Sequence, residues 1–301
     1  MSEQSRAAGE TGSSVRQVER VAVVGAGVMG NGIAQVVAGA GLSVTILDVS
    51  EQALSAGLER IERSLARLAR SQRIDQAEAE ATRSRIAAST DLEAVGADCD
   101  HVIETVVEDL AVKEEVLRRL DAVCAEQVIF ASNTSQFSIS RLAAATKRPD
   151  RVIGSHWFNP PPLMGLIELV RGVETSEETL ATALGLAARY GKETVLCAKD
   201  TQGFITSRLI ATLALEAMRI LEEGIASVQD IDKACVLAFN HAMGPLDTID
   251  FSGLDTTLRV ADAMTEHYGE RFRAPQNLRT LVAAGHYGRK SGKGFRDYHD
   301  A

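Results

Sequence analysis

Over the first two hundred residues, short apolar runs alternate with stretches whose apolar residues recur every three or four positions. Val21 to Val24 is an unbroken apolar run with β-branched members, which predicts a buried strand, and an Ala/Val-rich helical segment follows it. Gly41 to Asp48 predicts a second strand, ending in an acid. Glu51 to Arg73 carries Leu54, Leu58, Ile61, Leu65 and Leu68 at helical spacing, and Asp75 to Ile86 is a second, highly charged helical stretch. Together they predict a helical hairpin at about 51–87 standing out from the sheet, either a solvated excursion or an arm that touches substrate. Further strands are expected at His101–Val107, Gln127–Ser132, Arg151–His156, Leu166–Val170 and Glu193–Cys197. Helices are expected between them, one with Val112, Val116, Leu117 and Leu120 on one side, one over Ile139–Thr146 and one near Glu177–Tyr190. Strands alternating with helices predict an α/β fold with a doubly wound, mostly parallel sheet.

The pattern changes near Asp200–Gly203, beyond which no strand is convincing. Phe204–Glu223 reads as a long apolar helix stopped by Gly224, and Ser227-x-x-Asp230 resembles a capping box opening a helix to about Asn240. Asp255–Tyr268 and Gln276–Ala284 each end at a glycine. The expected organisation is a flexible tail over 1–17, a nucleotide-type domain over 18–202 and a smaller all-α C-terminal domain over 203–301. A helix as apolar as 204–223 needs cover on most sides, which in so small a domain points to a second subunit and hence a homodimer.

Composition narrows the partners. The chain has 301 residues, 45% of them hydrophobic and 24% charged, as in an ordinary soluble protein. Its formal net charge of −9 argues against nucleic acid, because no basic face is evident to neutralise phosphates. No run approaches the roughly 18 apolar residues of a membrane span, and the polar N-terminus lacks the apolar core of a signal peptide. Cys99, Cys124, Cys197 and Cys235 are widely spaced and read as buried thiols of a cytoplasmic protein, and the histidines show no metal-ligand spacing.

The chemistry starts at the first strand, which runs into Gly25-Ala26-Gly27-Val28-Met29-Gly30 and then a helix. Gly25 permits the sharp turn, Gly27 keeps side chains away from a pyrophosphate, and Gly30 lets the helix sit close to the sheet. The helix N-terminus then faces the phosphates with unpaired N–H groups. This is a Rossmann-like dinucleotide site. Asp48, at the end of the second strand, suits ribose hydroxyls and repels a 2′-phosphate, which favours NAD over NADP.

In an open parallel sheet, ligands bind beyond the carboxyl ends of the strands. Ser132-Asn-Thr-Ser135 and His156-Trp-Phe-Asn159-Pro fall at such ends, and Glu168 lies in the next strand among Leu166, Ile167, Leu169 and Val170. A histidine can take a hydroxyl proton at neutral pH. A buried acid requires a partner, and His156 is the nearest sensible one. Ser135 can bond a substrate oxygen. Each residue alone also has a structural reading, as a turn serine, a core histidine or a surface charge. Their joint occurrence on a nucleotide fold favours catalysis.

At these residues the sequence resembles the L-3-hydroxyacyl-CoA dehydrogenase family over about residues 19–298. The resemblance rests on the glycine motif through Gly32-Ile-Ala34, Ser132-Asn-Thr-Ser135, His156-Trp-Phe-Asn-Pro-Pro-Pro-Leu-Met164, Lys199-Asp-Thr-Gln-Gly-Phe204, Met243-Gly-Pro245 and Gly288-Arg-Lys-Ser-Gly-Lys-Gly-Phe295. It implies that His156 is the base, Glu168 its orienting partner, and Ser135 a contact to substrate and cofactor. It further implies that Glu108 and Lys113 reach the nicotinamide end of NAD, and that Lys290 contacts the cofactor. Asn159 and Ser64 are the expected acyl-CoA contacts. Two positions depart from the family: Ser207 stands where a substrate-binding Asn is usual, and Ser71, flanked by Arg70 and Arg73, stands near an expected lysine. The expected activity is oxidation of an (S)-3-hydroxyacyl-CoA. The alternatives are a dehydrogenase of a non-CoA hydroxy acid and a catalytically silent NAD-binding protein, as among lens crystallins of this fold.

Overall fold

The computed structural model describes residues 18–299, so the N-terminal tail expected over 1–17 lies outside the described residues. The chain divides into two compact units, one of residues up to 134 with 139–200, the other of 135–138 with the residues from 201 onward.

The first unit is built on a single eight-stranded sheet. Its strands are β1 (Arg20–Val24), β2 (Ser43–Leu47), β3 (Ile86–Ser89), β4 (His101–Glu104), β5 (Ile129–Ser132), β6 (Val152–Trp157), β7 (Leu166–Arg171) and β8 (Glu193–Cys197), in the spatial order β3-β2-β1-β4-β5-β6-β7-β8. All neighbouring pairs are parallel except β6 and β7, which run antiparallel. The order reverses between β1 and β4, the crevice where a doubly wound sheet binds its ligand.

Helix α1 (Val28–Gly39) lies close on β1 because Gly30 has no side chain: a Cβ there would stand 1.8 Å from the Gly25 carbonyl oxygen. Helix α2 (Glu51–Arg70) is capped by Ser50, whose Oγ accepts the Ala53 N–H, and α3 (Gln76–Ser84) by a complete capping box between Asp75 and Glu78. These two helices form the expected hairpin and rest in part on the sheet's core. Leu54, Ile61 and Leu65 of α2 and Ala79 of α3 are buried in the same core as α1 and β1. The apolar stripe that predicts α2 is itself the reason, since it needs that cover. The helical stretch also ends earlier than expected, because Ile86 opens the edge strand β3. Strand β4 stops at Glu104 rather than Val107, the Glu104 carboxylate accepting the Val106 N–H and so turning the chain. A short helix, α4 (Leu92–Ala97), has no counterpart in the predicted elements. Helices α5 (Leu110–Val123), α6 (Ile139–Ala143) and α7 (Glu177–Arg189) complete the unit.

The second unit is helical: α8 (Thr206–Glu222), α9 (Val228–Phe239), α10 (Pro245–Ser252), α11 (Leu254–Tyr268) and α12 (Gln276–Ala283). Helix α10 was not expected. Its core gathers Ala214, Leu215, Met218, Leu246, Leu254, Met264 and Leu278. Ser227 caps α9 by accepting the Asp230 N–H, while the Asp230 carboxylate receives the Ser227 hydroxyl instead of the backbone N–H of a true capping box. Buried Asp250 anchors the C-terminal glycine motif by accepting the N–H groups of Phe295 and Arg296 and the Tyr298 hydroxyl. Leu209, Leu237 and Phe239 remain exposed on this unit. Among the described residues, no helix is long and apolar enough to cross a membrane and no cluster of His, Cys, Asp and Glu could hold a metal.

Candidate active site

Gly25 turns the chain at φ +107°. Its carbonyl and that of Val24 accept the Thr105 hydroxyl, at 3.0 and 2.9 Å, which ties the glycine turn to the end of β4. Over this turn opens a cavity of about 580 Å³ lined by Gly25, Gly27, Val28, Met29, Asp48, Arg60 and Val106 among others. A dinucleotide fits these residues. A Cβ on Gly27 would meet no protein atom, so the space above that backbone is kept open, and the N-terminus of α1 faces it. Asp48 is held in place by the same turn, its two oxygens accepting the N–H groups of Ala26 at 2.8 Å and Ser50 at 3.1 Å. Its remaining lone pairs suit ribose hydroxyls. Val112 and Val116, expected on one side of α5 with Leu117 and Leu120, line this cavity. The buried face of α5 is formed by Lys113, Leu117, Leu120 and Asp121.

Lys113 is the surprise of that face. Its ammonium, 1% exposed, bonds Glu104 Oε1 at 2.8 Å and Glu108 Oε2 at 3.1 Å. Glu104 is wholly buried and also receives the Val106 N–H at 2.8 Å and the Ser132 hydroxyl at 2.5 Å. Glu108, about a third exposed, accepts the Thr134 hydroxyl at 2.6 Å. Glu104 was missed in the sequence, although His101-Val-Ile-Glu104 carries a signal close to the one that singles out Glu168, an acid beside apolar strand residues.

His156 and Glu168 are direct cross-strand neighbours on β6 and β7, with Nδ1 of the imidazole 2.8 Å from Glu168 Oε2. Both are buried, Glu168 completely, and β7 is an interior strand between β6 and β8, so Glu168 is not a surface charge. The Phe158 ring stands 4.8 Å from the imidazole and restrains its plane. Asn133, just past β5, accepts the Trp157 N–H at 2.9 Å and fixes the end of β6. Burial and the charge of Glu168 push the Cys197 thiol up, which keeps it neutral.

A second cavity, of about 270 Å³, lies between α2 and the loop after β6, which contains a cis Asn159–Pro160 bond. Ser64 and Asn159 both line it, together with Arg60, Arg63 and Arg67. These arginines follow one face of α2, opposite the buried stripe of Leu54, Ile61 and Leu65. Lys192 secures the loop by donating to the carbonyls of Pro161 at 2.8 Å and Met164 at 2.7 Å, and burial lowers its ammonium from the usual lysine range. Neither Lys192 nor the arginine face was singled out in the sequence. The repeat of Arg at i, i+3 and i+7 was the available signal for the latter.

Three expected site residues belong to the helical unit. Ser135 is half-buried in the 135–138 segment, and Ser207 is half-buried in the first turn of α8. Lys290 is paired within that unit to Asp255, at 2.5 Å.

An open glycine turn, a carboxylate at the end of the second strand and a buried imidazole–carboxylate pair in a doubly wound sheet are the features of a nucleotide-dependent oxidoreductase. Comparison with known proteins is consistent with this. Residues 20–201 match the NAD-binding domain of 3-hydroxyacyl-CoA dehydrogenase and residues 203–298 its C-terminal domain. A 3-hydroxybutyryl-CoA dehydrogenase of Mycobacterium tuberculosis is 43% identical over 284 residues, covering 93% of this chain and 99% of that protein. A probable 3-hydroxybutyryl-CoA dehydrogenase of Bacillus subtilis is 41% identical, with coverage of 94% and 99%. The solved (S)-3-hydroxybutyryl-CoA dehydrogenase of Ralstonia eutropha superposes with a TM-score of 0.90 at 39% identity, over 94% of this chain and 100% of that one. The chain belongs to the 3-hydroxyacyl-CoA dehydrogenase family, and its cofactor is NAD.

Proposed function

We propose that this protein reversibly oxidises an (S)-3-hydroxyacyl-CoA to the 3-oxoacyl-CoA, with His156 as general base. The observation that carries the reading is the buried 2.8 Å bond between His156 Nδ1 and Glu168. With Nδ1 donating to the carboxylate, Nε2 is left as the proton acceptor. Glu168 fixes the ring and stabilises the imidazolium that forms when the substrate hydroxyl gives up its proton. NAD, when bound, supplies the acceptor for the hydrogen leaving C3. Gly25, Gly27, Val28, Met29, Gly30 and Asp48 hold the dinucleotide, with Glu108, Lys113 and Lys290 as further cofactor contacts. Ser135 and Ser207 hold the substrate oxygens, a water spanning the extra reach where Ser207 is shorter than asparagine.

Arg60, Arg63 and Arg67 with Ser64 and Asn159 support a phosphorylated CoA carrier, because guanidinium groups pair readily with phosphate. Such pairing makes up for the missing lysine near Ser71. Short 3-hydroxyacyl chains are the preferred substrates, as the names of the relatives suggest. Leu209, Leu237 and Phe239 are apolar surface suited to a homodimer contact through the helical unit. The test is a panel of 3-hydroxyacyl-CoA esters and their free acids, each with NAD and NADP, followed by nucleotide absorbance. Turnover of the esters with NAD is expected. Turnover of the free acids and not the esters would refute the CoA assignment.

A further inference from the structure

The carboxyl end of β4 holds a buried ionic chain that the proton transfer does not use. Glu104, wholly buried, receives the Lys113 ammonium, the Val106 N–H and the Ser132 hydroxyl. Lys113 continues the chain to Glu108, which is about a third exposed, and the Thr134 hydroxyl bonds Glu108 in turn. A carboxylate buried this completely is costly, and replacing such an ion pair with apolar residues is often neutral or stabilising, so stability is weak grounds for keeping it. Its location offers another reason.

The binding crevice lies between β1 and β4, and Asp48 at the end of β2 marks the adenosine side. The β4 end is therefore the side on which the nicotinamide falls. Oxidised nicotinamide carries a positive charge on its ring, and the reduced ring is neutral. A fixed negative charge buried nearby, where water screens it little, interacts with the first form and hardly with the second. We propose that Glu104 is a positioning residue that biases the site toward NAD⁺ over NADH, acting through its own buried charge and through its hold on Lys113 and Glu108. Glu104→Gln removes one negative charge, whatever other partners Glu108 has. The amide keeps the size of the side chain and an oxygen acceptor. The inference rests on NAD occupying the glycine-turn cleft and not on the identity of the acyl substrate. Nucleotide binding measured without substrate therefore separates it from the proposed reaction.

The experiment titrates the full-length protein with NAD⁺ by calorimetry and with NADH by fluorescence. In Glu104→Gln the ratio of Kd for NAD⁺ to Kd for NADH is expected to rise about tenfold, with NADH affinity within about threefold of the parent. In Glu104→Asp, which keeps the charge, the ratio is expected to stay within about twofold. Equal weakening of both nucleotides in Glu104→Gln would reduce the residue to a scaffold and overturn the proposal. So would an unchanged ratio, or a shift in Glu104→Asp as large as in Glu104→Gln. If Glu104→Gln does not fold, Glu108→Gln removes a charge from the exposed end of the same chain. The ratio must then rise in the same direction, and an unchanged ratio overturns the proposal.

Discussion

Glu104 and Glu168 are two wholly buried acids in strands of the same sheet, and they have been given opposite partners. Glu104 meets an ammonium from α5 and two further donors. Glu168 meets an imidazole on the neighbouring strand, a partner whose ring can hold one proton or two. The lesson is that an acid in an apolar strand announces a buried partner without saying which kind. An ammonium makes an ion pair, and an imidazole makes a pair whose second nitrogen is left to bond elsewhere.

Four substitutions sharpen this contrast. The largest effect is expected from His156→Ala, which lowers turnover by roughly 10²- to 10⁴-fold while NAD binding survives; steady-state rates beside a nucleotide titration measure both. Lys113→Met is expected to do its damage in the fold instead. It leaves Glu104 buried without its cation, costing about 3–5 kcal/mol and lowering the melting temperature of the nucleotide unit by roughly 10 °C. If Lys113→Met were as stable as the parent, the ionic chain would not be the fixed element described above. Glu168→Gln keeps the shape of the pair and removes its charge, so kcat is expected to fall about 10- to 100-fold with the substrate KM little changed. Asp48→Ala, away from both pairs, is expected to weaken NAD about tenfold and relax its preference over NADP, leaving kcat at saturation near that of the parent. Unaltered affinity for both nucleotides would contradict the ribose assignment.

Much of the sheet could be read from the letters, because β1, β2, β6, β7 and β8 are short segments with apolar residues that no helix period fits. The glycine turn was legible for the same local reason, since its glycines answer to backbone geometry, and Asp48 was legible as the acid that follows β2. His156 and Glu168 were legible as partners, although the antiparallel register that joins them was not, since orientation is set by how the chain returns and not by residues within the strand. Glu104 was not legible because its partner lies nine residues ahead on a helix, where Lys113 is read as a cofactor contact and not as the counter-ion of a buried acid. Val112 and Val116 show a second limit, since apolar residues at helical spacing can face a ligand cavity as well as a core. The packing of α2 and α3 was obscured by their charge, which crowds the exposed faces and hides a narrow apolar seam.

The central claim, that His156 and Glu168 act as one unit, is tested most directly by a double-mutant cycle on kcat with His156→Ala, Glu168→Gln and the pair combined. If the carboxylate works only through the imidazole, the double variant turns over within about twofold of His156→Ala alone. If instead the two losses multiply, Glu168 acts on its own and the pairing has no part in the chemistry.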